Sequence, residues 1–271
     1  MVNYLITGAG GFLGRILKQS LLFNGDKVIG LGRSCQDITI DISKPFTFEE
    51  NSCFDIIIHA AGKAHVVPNS VEEEKEFLHV NFEGTKKLCL AIEQLGVKPK
   101  AFIFISTVAV YGVESGKNIL ENSDLNGSTP YAESKILAEK WLKCWANKNK
   151  IVLGILRLPL IAGPNPPGNL GTMIEGITSG KYLSIGEANA RKSIVLAEDI
   201  VKVIPKLSEI GGTYNLTDGF HPSFGELENV IAKALGKPQP KKIPFWMAKV
   251  IAKIGDLFGQ NFNITTSKLN K

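Results

Sequence analysis

The stretch VNYLITGAGGFLGRILKQSLLF, residues 2–23, decides the fold. VNYLIT (2–7) is a short apolar run of strand type. Phe12 to Phe23 returns apolar residues at helical spacing. Between them Gly8, Gly11 and Gly14 form a G-x-x-G-x-x-G pattern. Glycines at this spacing allow a tight strand-to-helix turn and let the backbone approach a pyrophosphate closely. The helix N-terminus then offers unpaired N–H groups and a partial positive charge to that anion. A glycine triplet alone is weak. One placed directly between a strand and a helix predicts dinucleotide binding.

Outward from this unit, apolar runs alternate with helical patterns. KVIGL (27–31), DITI (37–40), FDIIIHA (54–60), AFIFIS (101–106) and IVLGILR (151–157) read as strands. Val71 to Leu95 and Tyr131 to Asn147 read as continuous helices. Continuous apolar strands between helices imply a parallel sheet covered on both faces. The expected fold is α/β: a Rossmann-type doubly wound parallel sheet with a small C-terminal substrate lobe. Residues 1–157 form the dinucleotide core. Residues 158–271 complete the sheet and build the lobe, beginning with the Pro/Gly-rich loop PLIAGPNPPGNLG (159–171). Helices are expected near 170–179 and 197–206, with strands near 192–196 and at TYNLT (213–217). Ser223 to Leu235 and Phe245 to Phe258 are the closing helices. The last of these has Lys249, Lys253 and Asp256 on one side. Packing onto the lobe is favoured over a membrane-surface role.

Composition narrows the function. The 271 residues are 44% hydrophobic and 21% charged, with a net charge of +5 and no dense Lys/Arg block. That argues against nucleic acid and suits an anionic small molecule. Cys35, Cys53, Cys89 and Cys144 have neither C-x-x-C nor zinc spacing. They read as reduced thiols of a cytoplasmic protein. The start lacks a signal peptide, and no apolar run is long enough to span a bilayer. His59, His65, His79 and His221 show no metal-ligand spacing, and His59 reads as a packed, hydrogen-bonded side chain.

Tyr131 and Lys135 lie four apart in STPYAESK, on one helix face. Thr107 lies just past the end of the strand at 101–106, at the carboxyl edge where ligands of open α/β sheets bind. Tyrosine is a poor base at its ordinary pKa of about 10. A lysine cation and a nicotinamide charge would lower that value. Tyr131 would then move a proton at a substrate oxygen while hydride moves at the same carbon. Thr107 would orient that oxygen, and Lys135 would also hold the nicotinamide ribose. The second strand commonly ends in an acid that binds the adenosine ribose. Gly32 holds that place here, followed by Arg33 and Ser34. A missing carboxylate beside an arginine favours NADP(H), with NAD(H) as the alternative. Asp41 and Ile42 are placed to meet the adenine.

TGAGGFLG, Asp41-Ile42, HAAGKAHV, VNFEGT, FISTVAVYG, PYAESK and LRLPLIAGP together resemble, in this order, the NAD-dependent epimerase/dehydratase family of extended short-chain dehydrogenases. The resemblance is strongest to the UDP-glucose 4-epimerase-like enzymes of surface-polysaccharide synthesis. It implies that Phe12, Leu13, Ala60, Ala61, Gly62 and Pro159 line the cofactor and that Asn81 supports the active-site helix. It implies that Asn169 and Arg191 contact the diphosphate of a nucleotide sugar, expected to be UDP-linked. It also implies a homodimer through the helices at 71–95 and 131–147, and a further short segment after ITTSKLNK (264–271), so that the chain reads as naturally short or truncated. Sugar dehydratases of the family carry an Asp-Glu pair directly after the Ser/Thr, where this chain has Val108-Ala109. The GDP-fucose synthase type places a cysteine near that strand, and none is here. Two chemistries at sugar C4 remain: net reduction of a UDP-4-keto sugar, and 4-epimerisation of a UDP-hexose with tightly held NAD. Gly32-Arg33 tips the reading toward the reductase. A non-catalytic dinucleotide sensor or subunit is the third reading, disfavoured because Thr107, Tyr131 and Lys135 are all kept.

Overall fold

A computed structural model describes residues 1–64, 66–113 and 115–250. The chain divides into two units, one built from residues 1–166 and 195–218, the other from 167–194 and from 219 onward.

The first unit contains a seven-stranded, all-parallel sheet. Its strands are β1 (Asn3–Thr7), β2 (Lys27–Gly32), β3 (Ile38–Thr39), β4 (Ile56–His59), β5 (Ala101–Thr107), β6 (Val152–Leu158) and β10 (Gly212–Asn215). They run in the order β10-β6-β5-β4-β1-β2-β3. Two short strands, β7 (Leu160–Ala162) and β9 (Ile194–Leu196), pair separately. After β3 the chain reverses its direction of travel and adds strands on the other side of β1. The switch point is therefore between β1 and β4, where Thr7 pairs with His59. Chains leaving the two strands diverge there and open a crevice at the carboxyl edge.

Both faces of the sheet are buried, which is why its strands lack polar alternation. Successive side chains point to opposite faces. Tyr4, Ile6, Ile58, Ile103 and Leu156 meet helix α1 (Phe12–Phe23), through Leu17 and Leu21, and helix α6 (Ala197–Ile210), through Ile200 and Ile204. Leu5, Ile57, Phe102, Phe104 and Ile155 meet the opposite layer, α3 (Gly84–Glu93) and α4 (Pro130–Asn149), through Leu88, Ile92, Leu142 and Trp145. Each such side chain contributes about 1.5–3 kcal/mol on burial. The sheet is thus fixed on both sides, and its carboxyl edge presents Thr7, His59 and Thr107 from a rigid base.

The helix expected from Val71 to Leu95 is not one α-helix. It comprises α2 (Val71–Phe77), a π-helical turn (Leu78–Glu83) and then α3. Gly84 N–H bonds back to His79 O, five residues earlier. The Thr85 hydroxyl donates to Asn81 O at 2.6 Å, so a side chain serves part of that turn's carbonyl demand. Helix α4 starts at Thr129, whose hydroxyl accepts from Ala132 N, with Pro130 in the first turn.

The second unit contains α5 (Gly168–Thr178), α7 (Phe224–Ala234) and a sheet of β8 (Leu183–Ile185) with β11 (Lys241–Ile243). Met173, Ile177 and Ala232 form its core. Strands of three residues carry no readable period, so neither strand of that sheet was expected. Phe245 to Val250 are helical; the remainder of the helix expected to Phe258 lies outside the described residues. Among the described residues no helix is long and apolar enough to cross a membrane.

Candidate functional site

The glycine loop has the shape a pyrophosphate needs. Gly8 has φ of +71°, and a Cβ there would lie 2.7 Å from the backbone of Ala61. A Cβ on Gly14 would lie 2.1 Å from Gly8 O. Neither position tolerates a side chain, so the first turn of α1 packs directly on the loop. Gly11 caps α1 without a side-chain hydrogen bond, and the first turn holds no acid. The N–H groups of that turn are therefore left for an anion. Residues 60–62 run against this loop, as the Gly8–Ala61 approach requires. Phe12 and Pro159 are partly buried and Leu13 lies in the core.

Thr107, Tyr131 and Lys135 meet at the edge of β5. Thr107 Oγ accepts from Ala109 N at 3.1 Å, capping a short 3-10 turn (Val108–Tyr111). That leaves its proton for the Tyr131 oxygen. Burial pushes the Tyr131 phenol up to about 12, and the Thr107 hydroxyl draws it down. Lys135, buried, donates to Ile105 O at 2.9 Å and lies 4.5 Å from the centre of the Phe104 ring. Burial pulls its ammonium down to about 8, while the Glu139 carboxylate, one turn further along α4, opposes that fall. Val108 and Ala109, which directly follow Thr107, carry no group able to exchange a proton.

Asn81 and His59 tie the loop to this centre. Asn81 is 1% exposed at the π-helical turn. Its Nδ2 donates to Ser134 Oγ at 2.9 Å and to Lys63 O at 3.0 Å, and its Oδ1 accepts from Lys63 N. A Cβ on Gly62 would lie 3.0 Å from Asn81 Oδ1 and 3.5 Å from Lys135 Nζ, so the 60–63 segment must be small where it crosses the lysine. His59 is fully buried between two hydroxyls: Nδ1 is 2.6 Å from Thr7 Oγ and Nε2 2.8 Å from Thr85 Oγ. Because Thr85 spends its proton on Asn81 O, His59 Nε2 must donate to Thr85, and Nδ1 accepts from Thr7. Burial, and secondarily the Lys135 charge, pulls His59 down to about 3 and keeps it neutral. It is a packed, hydrogen-bonded histidine that links the end of β1 to the turn bearing Asn81.

Beneath the centre lies an ion pair that sequence reasoning missed. Arg157 on β6 and Glu139 on α4 are 2% and 1% exposed in their side chains, with Nη2 2.6 Å from Oε2. Ser106 Oγ donates to Glu139 Oε1 at 2.5 Å. Arg157 Nη1 donates to Tyr111 OH and to Glu121 O, both at 2.9 Å. Tyr111 OH in turn donates to Asn215 Oδ1 at 2.7 Å. Tyr111 is thereby occupied in the core. The only sequence signal for the pair was a charge inside each of two otherwise apolar elements.

The remaining expected residues divide between the units. Asp41 turns its Oδ1 onto Ser43 N at 2.9 Å, and the Ser43 hydroxyl is the main reason its carboxyl is held low. Ile42 is buried in the core behind it. Arg33 and Ser34 are exposed. Asn169 lies in the first turn of α5, in the second unit. Arg191 is in the same unit, bridged to Ser223, with Nη1 on His221 O at 2.8 Å and on Glu226 Oε2 at 3.1 Å.

Comparison with known proteins is consistent with this geometry. Residues 4–216 match the model of the NAD dependent epimerase/dehydratase family. The N-acetyl-alpha-D-glucosaminyl-diphospho-ditrans,octacis-undecaprenol 4-epimerase of Escherichia coli O157:H7 is 27% identical over 88% of this chain and 74% of its own. The UDP-glucose 4-epimerase of Vibrio cholerae is 27% identical over 96% of this chain and 83% of its own. A solved UDP-glucuronic acid 4-epimerase from Bacillus cereus, in complex with UDP-glucuronic acid and NAD, shares the fold. Its TM-score is 0.73 at 22% identity, over 89% of this chain and 85% of that one.

Proposed function

The chain belongs to the NAD dependent epimerase/dehydratase family, and we propose that it is a UDP-hexose 4-epimerase working with retained NAD. The observation that carries this reading is the Thr107–Tyr131–Lys135 centre, which has one proton-exchanging group and is followed by Val108 and Ala109. Loss of water from a sugar needs a second acid and base, whereas inversion at C4 needs a proton moved at one oxygen only. Gly32-Arg33 taken alone favours a 4-keto-sugar reductase. The relatives named above are 4-epimerases, and they favour the alternative.

Tyr131 takes the proton of the sugar C4 hydroxyl and returns it from the same position. Thr107 orients that oxygen. Lys135 holds the nicotinamide ribose and, when charged, stabilises the phenolate. Gly8, Gly11 and Gly14, with the N-terminus of α1, take the pyrophosphate; Phe12, Leu13, Ala60, Ala61, Gly62 and Pro159 line the dinucleotide. NAD, when bound, would accept the C4 hydride, return it to the opposite face of the sugar, and add a positive charge to the site.

The test is incubation of the purified protein with UDP-glucose and UDP-N-acetylglucosamine, read by proton NMR of the sugar anomers. Appearance of the C4 epimer without added cofactor is the expected result. A requirement for stoichiometric NADPH, with turnover of a 4-keto sugar only, would overturn it in favour of the reductase.

A further inference from the structure

The expectation of NADP(H) rested on the lack of a carboxylate at the end of β2. The fold returns one from a different place. The adenosine ribose adjoins the pyrophosphate, so it must lie between the glycine loop and the carboxyl end of β2. Three glycines face that space: Gly10 in the loop, and Gly30 and Gly32 on β2. Gln36 lies across all three. A Cβ on Gly10 would be 3.2 Å from Gln36 Nε2, one on Gly30 2.8 Å from Gln36 Oε1, and one on Gly32 3.0 Å from Gln36 Cγ. Beside it, Asp37 Oδ2 accepts from Gly30 N at 2.6 Å and from Lys18 Nζ at 2.5 Å. The five residues from Arg33 to Asp37 are too few for a helix and curl back, so the start of β3 lies beside the end of β2, with Ile38 opposite Leu31.

We propose that Gln36 and Asp37 form the adenosine-ribose subsite, and that Asp37 selects the 2′-hydroxyl of NAD over the 2′-phosphate of NADP. The inference rests on the dinucleotide reading given above. A carboxylate only accepts hydrogen bonds and so pairs with a ribose hydroxyl. Facing a phosphate dianion it is repulsive. Asp37 is well placed for this, since both its bonds fall on Oδ2 and half of the side chain remains exposed (49%). Lys18, the cation nearest the subsite on α1, has its charge matched by Asp37 and is not available to a phosphate. The Arg33 charge is felt at Asp41, where it helps hold that carboxyl low. The Gln36 amide brings a donor and an acceptor to the remaining ribose oxygen.

The experiment is direct binding of NADH and NADPH to the full chain without sugar, by nicotinamide fluorescence, with acid-released nucleotide identified by mass spectrometry. The wild type should release NAD and bind NADH at least about tenfold more tightly than NADPH. Asp37→Asn should weaken NADH about tenfold and narrow or reverse the preference, because it removes the carboxylate and frees Lys18. Arg33→Ala should leave NADH binding unchanged. Gly32→Asp combined with Gln36→Ala and Asp37→Asn moves the carboxylate to the strand end, relieves the 3.0 Å approach, and should restore NADH preference. A wild type that prefers NADPH, an Asp37→Asn protein that keeps the full NADH preference, or binding of neither dinucleotide would overturn the proposal. Selectivity for NADH with no epimerisation would instead overturn the function alone.

Discussion

Arg157 and Glu139 give the sharpest test of how the site is supported. Their carboxylate–guanidinium contact involves Nε and Nη2 on one side and both carboxylate oxygens on the other, at 2.6–3.2 Å. Ser106, Tyr111 and Glu121 O satisfy further atoms of the pair, which is closed to water. Removing one partner leaves the other charge buried and unpaired. Arg157→Met and Glu139→Leu should therefore each cost about 3–5 kcal/mol. If the two losses were independent, the double variant would lose about 6–10 kcal/mol and be unfolded on the usual stability scale. Replacing both charges with apolar groups of similar volume removes the desolvation penalty as well as the attraction. What remains is chiefly the Ser106 hydroxyl without its acceptor, at about 1–3 kcal/mol, because Tyr111 OH keeps its bond to Asn215 Oδ1. The double variant should thus be more stable than either single variant. Urea unfolding followed by circular dichroism at pH 7 measures this as a double-mutant cycle. A double variant no more stable than its parents would refute the reasoning, because the pair would then not be the unit that matters. The cycle stays readable even if both single variants fail to fold, since recovery of folding in the double variant is itself the predicted coupling.

Tyr131→Phe should lower kcat by a factor of about 10²–10⁴ while NADH binding stays within about twofold of wild type; substantial turnover in this variant would remove Tyr131 as the proton carrier. His59 sets a pH dependence whose sign follows from its burial. Its pKa is about 3 in the fold against 6.5 when unfolded, so the unfolded chain binds the extra proton between these values. Stability from this group is complete above pH 6.5 and falls by about 1.4 kcal/mol per pH unit as the pH drops toward 3. His59→Asn should be less stable at pH 7 by about 1–3 kcal/mol and should have a shallower loss between pH 6 and 4. Melting curves across that range, identical in slope for the two proteins, would contradict the buried neutral assignment.

The parts of this fold visible in the sequence were those set by local rules. The glycine loop is legible because Gly14 excludes a side chain by contact with Gly8 O within the same turn, and Gly8 takes a positive φ. Tyr131 and Lys135 are legible because four residues make one helical step. The structure also parallels the sequence for β1, β4, β5 and β6, whose runs of Ile, Leu, Phe and Val follow from burial on both faces. What escaped depends on groups brought together from afar. Nothing in the spacing of Val71–Leu95 marks the π-helical turn at Asn81, whose carbonyl accepts from the Thr85 hydroxyl. The Arg157–Glu139 pair joins a strand to a helix. Asp37 was overlooked because the strand end at 32–34 lacks a carboxylate, while the short connection carries Asp37 back beside Gly30, two residues before that end.

These distant contacts bear on when the centre can act. With the Tyr131 phenol pushed up to about 12 by burial, the side chain is protonated at pH 7. Lys135, near 8, keeps most of its charge at that pH, and the Thr107 hydroxyl, which opposes the burial of the phenol, does not offset it. Glu139 sustains the lysine charge, and Arg157 holds Glu139 in place. The balance left is a tyrosine that rests protonated until a further positive charge enters the crevice. A dinucleotide held at the glycine loop would bring the nicotinamide to that position. A tyrosine that rests protonated in this way accords with the proposed reaction, which begins by removing hydride. It also explains why a fully buried and costly ion pair is placed one helical turn behind Lys135: an apolar pair of the same volume would support the fold, but it would leave the lysine without the carboxylate that keeps it charged. The folded double variant should therefore lose activity toward higher pH, its alkaline limb displaced to lower pH than that of the wild type. An unmoved limb would reduce Glu139 to a packing role.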